Sequence, residues 1–206
     1  MLTPEQINNL PPDTKKEYLQ TALLLDQKKK DQSVRDDFMS FVKYIWPEFI
    51  EGEHHKIMAD KFNKVASGDI KRLIINMAPR HTKSEFASNL LPAWMIGNNP
   101  KLKIIQATHN AELAVRFGRK AKTVIDSEEY QRIFNTRLRE DSKAAGKWET
   151  DQGGEYYAAG VGGSITGRGA DLMIIDDPHS EQDAMNQASF DRAWEWYTSG
   201  PRQRLQ

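Results

Sequence analysis

The chain has 206 residues, enough for one α/β domain with a sizeable core. Lys plus Arg equal Asp plus Glu at 29 each, so no global basic field draws nucleic acid and any such contact must be local. There is no cysteine, which excludes a disulfide framework and thiolate metal ligands; no run resembles a signal peptide or a membrane span, so a soluble, intracellular protein is expected.

Residues 1–35 are polar and charged, with Lys28-Lys-Lys30 near their end. Leu19 and Leu23 are one helical turn apart, Leu24 and Leu25 widen that face, and the pattern predicts one or two N-terminal helices. Residues 36–206 form a second unit. Its first part, 38–65, reads as helix, a break at Pro47, then helix. A short apolar run at 73–75 predicts a buried strand. A polar loop comes next, then Lys83-Ser84, then a helix over 85–96. Lys103–Thr108 reads as a second buried strand. A helix over 110–125 is expected to be capped by Asn110, with an apolar stripe at Ala114, Phe117, Ala121 and Val124. On another face Arg116, Arg119 and Lys120 are neighbours, suited to a nucleic-acid backbone but more simply read as a solvated face. Residues 155–159 predict a further strand. The apolar run 172–177, bounded by Gly169 and Pro178, reads as a central parallel strand ending in Asp176-Asp177. Phe190, Trp194 and Tyr197 recur at helical spacing and are expected in core or interface packing.

The chemistry concentrates in two places. Strand, loop, Lys-Ser and helix have the layout of a phosphate-binding loop. The helix start offers unpaired N–H groups to an anion, Lys83 can neutralise β/γ-phosphates, and the Ser84 hydroxyl can ligate Mg²⁺. The glycines of the usual pattern are missing at Met77 and Thr82, so strain is expected wherever the loop needs positive φ. The same Lys-Ser pair would equally suit the first turn of an exposed helix. Asp176 and Asp177 sit at the carboxyl end of a predicted parallel strand, where open α/β sheets bind ligands. One can hold Mg²⁺ and the other can orient water, or the Asp-Asp-Pro run can simply end the strand. Residues 153–169 carry seven of the 13 glycines. Among them Arg168 is either an arginine finger or an exposed cation without a partner.

The succession Gly68-Asp-Ile-Lys-Arg-Leu-Ile-Ile-Asn-Met-Ala-Pro-Arg-His-Thr-Lys-Ser84, Ile165-Thr-Gly-Arg-Gly-Ala-Asp-Leu-Met-Ile-Ile-Asp-Asp-Pro178, Trp194-Glu-Trp-Tyr197 and Arg202-Gln-Arg-Leu205 resembles the large terminase subunit of tailed bacteriophages. The likeness is to its N-terminal packaging ATPase domain and covers roughly residues 38–206. It implies a P-loop NTPase of the ASCE type, with a central, mostly parallel sheet flanked by helices and preceded by N-terminal helices. It implies ATP and Mg²⁺ as cofactors, and hydrolysis that drives double-stranded DNA into a procapsid.

By position, the resemblance makes Arg80, His81, Thr82, Lys83, Ser84 and Glu85 the nucleotide loop, with Ser84 and Asp176 toward Mg²⁺. Asp177 takes the place of the catalytic carboxylate, usually Glu, and is preferred over Glu181. Arg168 becomes a finger supplied to a neighbouring subunit. His54 and His55 fall where the family flanks the adenine, and they serve equally well as helix-start residues packed on the core. A homo-oligomeric ring on the procapsid, a portal and a small terminase subunit are the implied partners, in the host cytoplasm. The family continues into a nuclease domain, so this chain is expected to be a fragment that does not cut DNA. A helicase-like translocase and a P-loop module with little turnover are the alternatives.

Overall fold

In the computed structural model the described residues are 2–165 and 167–203. Thr166 of the glycine-rich segment, and Arg204 and Leu205 of the last motif, lie outside them.

The N-terminal helices are α1, Pro4–Asn8, and the long α2, Pro12–Asp36. Thr3 and Gln6 close a capping box at the start of α1. Leu23 and Leu24 on α2 are exposed, and the helix meets the core only near its end. There Val34 is buried, its carbonyl accepts from Trp94 Nε1 at 3.1 Å, and the Arg35 guanidinium donates to the Ile133 carbonyl. Helix α3, Phe38–Ile45, starts at Asp37, whose carboxylate caps Ser40 N at 2.7 Å. The chain breaks at Trp46-Pro47 and resumes as α4, Glu53–Ala66. Phe38 packs edge-on against Phe62, Phe86 and Trp94 at 5.2–5.5 Å, joining α3 and α4 to the segment 85–98.

Residues 85–90 form a wide π-helical turn that runs into α5, Leu91–Asn98. Pro92 supplies the reason, since its ring crowds the carbonyl four residues earlier and it has no N–H to donate. Strand β1, Lys103–Thr108, α6, Ala111–Ile125, and α7, Glu128–Ile133, come next. Asn110 Oδ1 accepts from Leu113 N at 2.8 Å, as the cap expectation required. Four more strands complete the sheet: β2, Leu138–Ala144, β3, Lys147–Thr150, β4, Glu155–Gly160, and β5, Leu172–Ile175. Helix α8, Gln187–Ser199, lies beyond them.

The five strands form one sheet in the order β2-β3-β4-β1-β5. Strand β1 runs parallel to both β4 and β5, whereas β2–β3 and β3–β4 are antiparallel. The fold is therefore α/β with a mixed sheet, where a mostly parallel one was expected. The antiparallel half comes from the β2–β3 hairpin, which was missed because β2 is charged and does not alternate. Two further corrections concern the edge. Strand β5 is the last of the sheet and not a central strand. The strand expected at 73–75 is absent. Residues 73–77 do alternate in burial, with Leu73, Ile75 and Met77 packed on the core and Ile74 exposed. Among the described residues, however, no ladder bonds join them to β5, and a strand is defined by its partner.

Alternation along the strands divides the core. Ile104, Tyr156 and Ile174 face the helices, where Trp148 stacks on Tyr156 at 4.8 Å. Helix α6 approaches this face closely, because a Cβ at Gly118 would lie 2.5 Å from the Ala145 carbonyl oxygen. Ile105 and Ala159 face the other way, under Ile165 and Ala170 from the glycine-rich segment.

Candidate phosphate-binding site

The loop expected to hold phosphate precedes the π-helical turn. Arg80 and Thr82 within it have φ of 65° and 60°, and Asp177 has φ of 44°. Among the described residues these three are the non-glycine positions with positive φ. Each such residue costs about 1–3 kcal/mol, and such strain gathers at ligand sites. A β-branched residue is the least suited to it, and Thr82 stands where the usual pattern has glycine. The Thr82 carbonyl accepts from Phe86 N at 3.0 Å and so opens the helix.

From this loop Lys83 reaches across to the end of β5. Its Nζ donates to Asp177 Oδ1 at 2.6 Å and lies 3.4 Å from Asp176 Oδ1. Burial pulls the ammonium pKa down. The hydrogen bond to Asp177 and the charges of Asp176 and Asp177 outweigh it, so the pKa is raised and the group stays charged. The two acids differ sharply: the Asp176 side chain is 6% exposed and that of Asp177 is 60% exposed. Asp176 continues the helix-covered face of β5, and its Oδ2 accepts from Ser88 Oγ at 2.9 Å. Ser88 in turn accepts from Gln106 Nε2 at 3.3 Å, both residues being fully buried. The Asp177 carbonyl accepts from His109 N at 3.0 Å, which ties the ends of β5 and β1. On the open side of Asp177 lies a depression of about 800 Å³, lined also by His109, Pro178, His179 and Glu181.

Ser88, Gln106 and His109 were not singled out from the sequence. Gln106 had a signal, being polar amid the apolar run of β1. Ser88 lies one helical turn after Ser84 and so shares its side of the helix.

The other expected site residues are spread around this cluster. Ser84 sits at the start of the π-helical turn, with helical backbone angles. Glu85 accepts two hydrogen bonds from Lys120 Nζ, at 2.8 and 3.1 Å, and one from Asn89 at 2.7 Å. Lys120 is thereby tied to Glu85, while Arg116 and Arg119 are exposed. His81 Nδ1 meets the Pro79 carbonyl at 2.8 Å. His55 is buried, 4.7 Å from Phe49 and 5.1 Å from Phe86, and its Nε2 meets Thr82 Oγ1 at 2.5 Å. Burial, then the neighbouring His54, lower its pKa; Glu51 opposes this and His81 adds to it. Arg168 is not at the Lys83 cluster. It pairs with Glu155 at the opposite end of β4, on the other sheet face, and stacks 4.0 Å over the Tyr157 ring.

Among the described residues no three His, Asp or Glu are placed to hold a metal. Mg²⁺ asks for less, since it is usually held by one or two protein oxygens with phosphates and water. Ser84 and Asp176 supply hard oxygens of that kind. No described helix is long and apolar enough to cross a membrane.

No protein-family model matches the chain. The chain is similar to the large terminase subunit of Enterobacteria phage T3, with 24% identity over 165 residues, and it spans 28% of that protein's length. The resemblance read from residues 38–206 thus meets a named large terminase subunit across 78% of this chain.

Proposed function

We propose that the chain is a P-loop ATPase domain of a terminase-type motor that packages double-stranded DNA into procapsids. One juxtaposition carries the reading. An ammonium from a strained loop lies within 3.4 Å of one carboxylate and 2.6 Å of the next, at the carboxyl ends of two parallel strands. The similarity to a large terminase subunit supports the class of machine proposed.

Each residue then has a task. Lys83 brings a fixed positive charge to the β/γ-phosphates, with Arg80 and His81 beside it on the loop. Ser84 and Asp176 are the residues that would hold Mg²⁺, whose charge would offset that of the phosphate oxygens. The link from Gln106 through Ser88 keeps Asp176 in one orientation. Asp177 is exposed and adjacent, so it can accept a hydrogen bond from the attacking water and aim it. Arg168 faces away from its own chain's loop, so a finger role requires a neighbouring copy in a ring, the assembly expected to meet the portal and the small terminase subunit. Coupling to DNA rests on the resemblance.

The test is ATP affinity and turnover for the wild type, Lys83→Ala and Asp177→Ala. Lys83→Ala should lose affinity and Asp177→Ala should lose turnover. Absence of ATP binding by the wild type, or equal turnover in all three, would falsify the reading. Duplex DNA should stimulate hydrolysis more than single strands do; the reverse order points to a helicase-like translocase. Mixing Arg168→Ala with Asp177→Ala protein should recover activity if the arginine acts between subunits.

A further inference from the structure

His55 has both ring nitrogens engaged inside the protein, and their pattern fixes its proton. Gly52 N donates to Nδ1 at 2.8 Å, so Nδ1 is an acceptor. The proton therefore sits on Nε2 and points at Thr82 Oγ1, 2.5 Å away. The Thr82 hydroxyl spends its own proton on the His81 carbonyl at 2.7 Å, which leaves it to accept from His55. The imidazole cannot turn, because Phe49 and Phe86 close on it and it is 6% exposed. It therefore links three pieces, the start of α4, the loop, and the π-helical turn beyond the loop.

Thr82 is where that link matters. Its φ of 60° is the conformation that glycine adopts freely and a β-branched residue resists. A hydrogen bond to its side chain from a buried, immobile donor opposes relaxation to negative φ.

We propose that His55 is a positioning residue that holds Thr82 in the left-handed conformation and so substitutes for the missing glycine of the phosphate loop. This rests on the reading of residues 80–84 as a phosphate loop. It departs from a role at the adenine, because the ring has no free nitrogen to offer a base. The need for His55 should vanish when glycine is restored at position 82, and a side chain that keeps an N–H at the same reach should retain the effect.

The experiment is a double-mutant cycle on the full chain with His55→Phe and Thr82→Gly, and with His55→Gln as the conservative variant. ATP with Mg²⁺ is titrated against each protein. His55→Phe should weaken ATP binding about tenfold, the scale of one lost buried hydrogen bond. His55→Gln should retain most of the affinity. In the Thr82→Gly background, His55→Phe should change affinity by no more than about twofold. Equal losses in both backgrounds overturn the proposal and leave His55 a packing residue. Hydrogen exchange of the peptide covering 78–88, without nucleotide, reads the loop directly. It should speed up in His55→Phe and show no added effect of that change beside Thr82→Gly. If the wild type binds no ATP, the phosphate-loop reading fails, and the exchange cycle still decides whether His55 holds Thr82.

Discussion

The two faces of the sheet are finished differently. One lies under α5, α6 and the π-helical turn, and carries Trp148, Tyr156, Ile104 and the buried line Gln106–Ser88–Asp176. The other lies under the segment after β4 and carries a small cluster of Ile105, Ala159, Ile165 and Ala170, with the Arg168–Glu155 pair at its margin. Strand alternation sends Asp176 to the first face, and the turn after β5 leaves Asp177 in the open. Neighbouring residues of one type thus become two different groups. Asp176 is a buried side chain held by Ser88, and Asp177 is an exposed one that meets water beside its bond from Lys83. Among the described residues, Lys83 is the cation that joins them.

The largest expected effect tests the thick face. Trp148→Ala should lower unfolding free energy by ~3–5 kcal/mol, whereas Ile165→Ala on the thin face should cost nearer ~2 kcal/mol. Urea unfolding midpoints of the two variants compare the faces, and equal shifts would erase the distinction. The acids come next. Asp176→Asn should destabilise by about 1–3 kcal/mol, because it disturbs buried, paired groups. Asp177→Asn should cost less than ~1 kcal/mol, since Asp177 is 60% exposed and water screens its side of the pair with Lys83. Both should depress ATP turnover, so stability and turnover measured on the same samples separate the two roles.

A smaller effect is expected from His55. Burial holds its pKa below the usual ~6.5, so the unfolded chain takes up the proton first. Its contribution is complete above about pH 6.5 and is lost as pH falls through the folded value. Wild-type stability should therefore decline more steeply from pH 7 to pH 5 than that of His55→Gln. Parallel declines would remove His55 as the source. The smallest effect is that of Arg168→Ala, expected at or below ~1 kcal/mol, because its partner Glu155 and the Tyr157 ring are only partly buried. A loss of turnover in that variant far beyond its loss of stability would point to a use between subunits.

By itself the sequence determined whatever depends on neighbours within a few residues. Strand β1 occupies its expected span, α6 starts directly after its Asn110 cap, and β4 and the helices around Pro47 lie where pattern and caps put them, because periodicity and capping are local forces. Tertiary structure alone decided the rest. It left residues 73–77 without a strand partner among the described residues, put β5 at the edge, and completed the sheet with a charged hairpin that periodicity does not reveal. It also paired Arg168 with Glu155, Glu85 with Lys120, and His55 with Thr82. Those are contacts between residues 13, 35 and 27 positions apart. No pattern within a turn or a strand encodes them, since they form only once the helices and the sheet have closed on one another.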